Sequence, residues 1–181
     1  MGLEKQTTRR QFHLQDLGVL EGPPPRAIRS LVELCSASVQ APASALFVFD
    51  DTASELFLNA STGLDRDARG PIGLPLTGSV ASFVRSENRL TRIGNLHCAP
   101  FDTSVECLRF GIQSYLGAIV QGPADEPIGV LAAMHMTPHD WTFREAKLVE
   151  DMAYLMSQQI LLKASFATLR IMSAERKAAQ I

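Results

Sequence analysis

Charge of one sign, a metal-ligand cysteine spacing, a secretory leader and a membrane-length apolar run are all missing from this chain of 181 residues. Each absence removes a class of function. Seventeen basic against 19 acidic side chains leave a net charge of -2, with no electrostatic footprint for nucleic acid or an anionic membrane. Neither partner is expected. The three cysteines, Cys35, Cys98 and Cys107, are odd in number and follow no CxxC spacing, so neither a disulfide framework nor a short-range metal site is expected, and a reducing cytoplasm is. Residues 1–15 carry Lys5, Arg9 and Arg10 but no apolar core of signal-peptide length behind them. No stretch reaches the roughly 18 apolar residues that span a bilayer. Internal repeats and low-complexity segments are also lacking.

What is present is a large apolar fraction, 46%, against 20% charged. That supports one domain with a substantial core and is too little chain for two ordinary ones. The pattern divides it into a leader over 1–25, a domain over 26–160 and a helical extension over 161–181. Gly22-Pro23-Pro24-Pro25 is stiff and cannot continue a helix. Directly after it, Ile28, Leu31, Val32, Cys35 and Val39 form one apolar stripe at helical spacing, ended by Ala41-Pro42. Cys35 lies on the stripe and is expected in the core as a small hydrophobe.

Ser44 to Asp50 and Leu56 to Ala60, joined by a polar turn at 51–54, read as a hairpin. Gly63 to Gly78, with four glycines and charges at Asp65, Arg66, Asp67 and Arg69, reads as a long loop of the kind that carries function or moves. A short helix over Ser79 to Glu87 and a strand over Arg89 to Ile93 follow. Thr103-x-x-Glu106 has the capping-box pattern and Gly111 sits where a helix would stop, which predicts two helical turns over Ser104 to Phe110. Two apolar strands come next, Tyr115 to Val120 and Ile128 to Met134, separated by a Gly-Pro loop.

Thr142-x-x-Glu145 then opens a helix that nothing interrupts before Ile181. Its 39 or so residues would span about 58 Å, more than one domain can cover. Val149, Ala153, Met156 and Ile160 suit packing on a sheet. Leu148, Leu155, Leu162 and Leu169 recur every seven residues with Met152 and Phe166 between, a coiled-coil seam interrupted by Gln159. A parallel homodimer through this helix is expected. The end of the chain carries no C-cap, which leads us to expect a helix cut within a connecting segment.

In this order, Leu17-Gly-Val-Leu20, Ala45 to Asp50, Ser61-Thr-Gly63, Gly78-Ser-Val-Ala-Ser-Phe83, Tyr115 to Val120, Ile128-Gly-Val-Leu131 and Trp141-Thr-Phe143 resemble a GAF domain, the sensory module of histidine kinases, nucleotide cyclases, phosphodiesterases and transcription regulators. The resemblance implies an α+β fold with a central antiparallel sheet of five or six strands and helices on both faces. The first and last helices would cover one face. The segments between Gly63 and Gly111 would cover the other and enclose a small-molecule pocket. By position, its lining candidates are Phe47, Asn95, Cys98, Phe101, Cys107, Phe110, Gln113, Tyr115, Met134 and Met136.

The resemblance also implies one part of a longer signalling chain, with an output domain C-terminal to the last helix, and it brings chemistries to weigh. Bilin-binding GAF domains need a cysteine commonly followed by histidine; Cys107 is followed by Leu108, so a covalent bilin is not expected. The Asn-Lys-x-Phe pattern of cyclic-nucleotide binders is missing. Free methionine sulfoxide reductases are GAF proteins whose cysteines line this pocket, and Cys98 and Cys107 lie in the covering segment beside His97 and Arg109. That family, however, has a cysteine at the start of the pocket helix, where this chain has Ser79-Val-Ala81, and acidic residues where it has Gln113-Ser114. A zinc site from His97, Cys98, Cys107 and His135 would need three distant segments to converge, and haem on His97 or His135 has no better support. The expectation is a sensory module that is not itself an enzyme and holds no resident cofactor or metal. A ligand-free dimerisation module and a reductase-like thiol enzyme are the alternatives.

Overall fold

A computed structural model describes residues 24–50, 54–64, 72–98 and 100–178, with the side chains past Phe166 described only at Leu169 and Met172. The leader over 1–23, the hairpin turn at 51–53, the charged part of the long loop and the last three residues lie outside the described residues. Six strands form one antiparallel sheet in the order β3-β2-β1-β6-β5-β4. They are β1 (Ala43–Asp50), β2 (Glu55–Thr62), β3 (Ile72–Pro75), β4 (Thr91–Ile93), β5 (Ser114–Gln121) and β6 (Pro127–His135). Four helices complete the chain: α1 (Arg26–Val39), α2 (Val80–Glu87), α3 (Val105–Phe110) and α4 (Phe143–Ala178).

The central strands are apolar almost without interruption because both faces are covered. On one face Leu46, Val48, Leu116, Ala118, Leu131 and Ala133 pack against α1 and α4. On the other Phe47, Phe49, Tyr115, Val130, Ala132 and Met134 pack against α2 and its neighbours. Alternation therefore sorts side chains between two cores instead of between core and water. Gly129 marks where backbones meet: a Cβ there would sit 2.3 Å from the carbonyl oxygen of Phe47 on β1.

The predicted stripe of α1 holds, with Ile28, Val32, Cys35 and Val39 all buried and Leu31 partly so. On α4, Val149, Ala153, Met156 and Ile160 are buried against the sheet and α1. Apolar side chains of the size of Val149, Met156 and Ile160 contribute about 1.5–3 kcal/mol each when fully buried. Two predicted elements need correction. The long loop contains β3, which pairs with β2 from Glu55↔Pro75 to Leu58↔Ile72; its Ile-Gly-Leu-Pro sequence carries too little alternation to show as a strand. β4 begins at Thr91, and Arg89 instead donates to Glu87 at the end of α2.

The capping box of α4 is formed in both directions. Thr142 N–H donates to Glu145 Oε2 at 2.7 Å and Glu145 N–H donates to Thr142 Oγ1 at 3.2 Å. Replacing Thr142 by alanine is expected to cost about 1 kcal/mol, read as a shift in the urea midpoint without change of slope. No shift would mean that the packing of Trp141 and Ala146 alone seats this helix.

Candidate functional site

The face opposite α1 and α4 is covered by α2, the segment after β4, and α3. Ser79 caps α2, its Oγ accepting from Ser82 N–H at 3.0 Å and donating to the Leu76 carbonyl at 2.8 Å. No acidic residue lies in the first turn of α2. The missing negative charge comes instead from α3. Glu106, fully buried, accepts the Val80 N–H on Oε2 at 2.9 Å and the Ala81 N–H on Oε1 at 3.0 Å. A carboxylate thus sits on a helix N-terminus, where the peptide dipoles favour it.

This corrects the expected role of Glu106. The N-cap of α3 is Ser104, whose Oγ accepts from Cys107 N–H at 3.3 Å; Thr103 and Glu106 do not form a box. Gly111 does end the helix, in the left-handed region at φ 66°. Burial raises the Glu106 carboxyl above its ordinary value, and the two amides pull it back only in part. Beneath it, on β5, the Tyr115 hydroxyl is buried without a hydrogen-bond partner among the described residues. Burial, and then the nearby Glu106 charge, push the Tyr115 phenol well above its ordinary value.

The candidate lining residues fall into three groups. Phe47, Tyr115 and Met134 are fully buried in the floor, Tyr115 and Met134 directly opposite each other across β5 and β6. Cys107 is also buried, and Phe101, Phe110 and Gln113 are half-buried, Phe101 stacking edge-on against Phe83 of α2 at 4.9 Å. Asn95, Cys98 and Met136 are exposed; the Asn95 side chain folds back to accept from His97 N–H at 2.9 Å. Phe47, Tyr115 and Met134, with Phe101 and Phe110 packed against them, belong to one core cluster on this face.

Cys107 Sγ lies 3.7 Å from His97 Nδ1, a thiol–imidazole pair. Burial raises this thiol above its ordinary value, and the negative charges of Asp102 and Glu106 raise it further. It therefore stays protonated near neutrality, the opposite of what nucleophilic sulfur needs. Cys35 belongs to the other core and is pushed up to about 11 by burial. Among the described residues no three His, Cys, Asp or Glu side chains converge as a metal site, and no helix is long and apolar enough to cross a membrane.

On the seam of α4, Met152 is a correction: it is buried in the core with α1, and Leu148 is half-buried beside it. Leu155, Leu162, Phe166 and Leu169 are 49%, 50%, 59% and 61% exposed, and Gln159 is exposed among them.

A six-stranded antiparallel sheet with a helix pair on one face and short helices on the other defines an α+β fold. The sequence matches the GAF domain over residues 23–160, and the chain belongs to that family. Among solved structures, the GAF domain of a phosphoenolpyruvate-protein phosphotransferase from Coxiella burnetii superposes with a TM-score of 0.64 at 18% identity, covering 93% of this chain and 95% of that one. Free methionine-R-sulfoxide reductase from Neisseria meningitidis gives 0.62 at 15% identity, over 77% and 78% of the two chains. The PixJ GAF domain of Thermosynechococcus elongatus, in a blue-light absorbing form, gives 0.59 at 16%, over 87% and 95%. At these identities the likeness is one of fold. No curated protein sequence matches the chain.

Proposed function

We propose that this GAF domain is a sensory module in which a small molecule, bound between the sheet and its α2–α3 cover, shifts the balance between two arrangements of a parallel pair of α4 helices. The observation that carries this reading is the division of α4. Its first half is built into the core, while Leu155, Leu162, Phe166 and Leu169 leave a heptad-spaced apolar row in water over a helix of 36 residues. An unpartnered row of that kind is an association surface. A second copy is the occupant whose register its own heptads match. A ligand acts through such a pair only by its difference in affinity for the two arrangements.

The α2–α3 cover supports the sensing half of the reading. Glu106 is the polar tie between the two covering helices, and Tyr115 holds an unused hydroxyl beneath it. A ligand carrying a hydrogen-bonding group would compete for those partners and move α3. A ligand-free dimerisation module is the second reading, favoured by the closed Glu106 contact. A thiol reductase has the Cys107–His97 pair in its favour and the raised thiol against it.

Native mass spectrometry of the freshly purified chain, before and after unfolding, tests the proposal. A dimer with retained mass that is lost on unfolding is the expected result. A bare dimer leaves only the dimerisation reading, and a monomer removes the helical relay.

A further inference from the structure

At the junction of β6 and α4 four side chains form a cluster away from the α2–α3 cover. The rings of His135, the last residue of β6, and His139, in the connection to α4, are stacked with centroids 4.3 Å apart and planes 11° from parallel. Trp141 meets both edge-on, at 5.2 Å from His135 and 4.6 Å from His139. His139 Nε2 lies 3.0 Å from Glu145 Oε1. Glu145 Oε2 is the oxygen that accepts from Thr142 N–H and Thr142 Oγ1–H, at 2.7 and 2.6 Å. One carboxylate is therefore shared between His139 and the cap of the long helix.

The cluster also joins the sheet edge. His139 N–H donates to the Gly94 carbonyl just after β4 at 3.0 Å, and Gln113 N–H donates to the His135 carbonyl at 2.8 Å. Other charged groups facing it are Arg92 of β4, which donates to the Trp141 carbonyl at 3.3 Å, and the Asp140 carboxylate beside Gly94. His135 Nε2 and Trp141 Nε1 are both buried and without a partner among the described residues. Two orphaned polar atoms on adjacent rings mark an arrangement that is not fully satisfied as it stands.

We propose that the stacked His135–His139 pair is a proton-operated latch on the N-terminal cap of α4. With the His139 ring against Glu145, the cap is closed. Protonation of both rings would put two like charges 4.3 Å apart. The rings then separate, His139 leaves Glu145, and the first turn of α4 loosens at its junction with the sheet. The device acts on α4 whether or not anything binds the opposite face, so its failure and that of the sensory reading are separable.

The direction of titration agrees with the geometry. Burial, and then the neighbouring His139, lower His135 from its ordinary value of 6.5, with Glu145 opposing. For Glu145, burial acts upward but is outweighed by the hydrogen bonds of Thr142 and His139, and the carboxyl lies below its ordinary 4.5. His135 therefore takes up its proton below pH 6.5 while Glu145 is still ionised.

Trp141 is the sole tryptophan of the chain and reports on the cluster directly. Its emission is followed from pH 8 to 4.5, alongside far-UV circular dichroism and amide exchange of residues 143–146. The expected result is an emission change below pH 6.5 and exchange of the first turn of α4 accelerated at least tenfold, with helix content elsewhere retained. His135→Gln is expected to abolish both changes. A flat emission profile, an unaltered transition in His135→Gln, or a transition coincident with loss of overall helix content would overturn the latch. If the variant does not fold, ring-carbon NMR of the four histidines in the unaltered chain decides: two coupled steps from one pair support it, and four independent titrations refute it.

Discussion

Glu106→Ala is expected to destabilise the domain by about 2–4 kcal/mol, the largest loss from any single polar side chain here. Two buried amides, Val80 and Ala81 N–H, would lose their acceptor, and each orphaned donor costs about 1–3 kcal/mol. The N-terminus of α2 would also lose the negative charge of Glu106, and its own first turn carries none. Relief of burying a carboxylate offsets part of this. Glu106→Gln keeps one acceptor and is expected to lose about half as much.

The pH dependence isolates the ionisable group that both variants lack. Because the folded Glu106 carboxyl lies above its ordinary value of 4.5, the native state binds this proton more tightly than the unfolded chain does. Its contribution to stability is full below pH 4.5 and declines as pH rises through the raised folded value. The advantage of wild type over Glu106→Gln should therefore be greater at pH 5 than at pH 8 in urea unfolding. A loss below about 0.5 kcal/mol in Glu106→Ala would show that water or another donor–acceptor pair replaces the contact without cost.

The second large effect is on association. Leu162→Glu with Phe166→Glu should convert the proposed dimer to a monomer in light scattering at a fixed concentration, leaving the fold intact. Both side chains are at least half exposed in the single chain, 50% and 59%, so their replacement removes no intramolecular core. In a parallel pair each would be buried twice. At about 1.5–3 kcal/mol per apolar side chain, the double substitution weakens the dimer by a thousandfold or more, on the order of 4 kcal/mol at least. An unchanged dimer would place the interface elsewhere. Gln159→Leu is the complementary change: it fills the one polar position of the seam and should tighten association.

How much was readable beforehand follows from the range of each interaction. The α1 stripe, the β1–β2 hairpin, the β5–β6 pair and the α4 capping box are local patterns, set by residues within a turn or a hairpin of one another. All four were legible, as was the split of α4 between a core stripe and an exposed apolar row. β3 was not, because its four residues become a strand only by pairing with β2. Met152 was assigned to the seam because heptad spacing counts positions along a helix and does not sense α1 packed beside it.

Glu106 shows the limit most clearly. Three residues after Thr103 it satisfied a capping pattern, yet its carboxylate bridges 26 positions of sequence to Val80. One hint was available: α2 begins Ser79-Val-Ala-Ser with no acidic residue, a helix start that lacks its charge. The His135–His139–Trp141–Glu145 cluster was legible only as separate letters.

The sequence by itself determined the family-level architecture, an α+β domain with a long, doubly striped C-terminal helix, because periodicity and capping are encoded over a few residues. Only the tertiary structure decided which carboxylate caps which helix, which thiol stays protonated and which seam residues reach water. Those outcomes depend on burial and on distances between segments far apart in the chain, and no local pattern carries either.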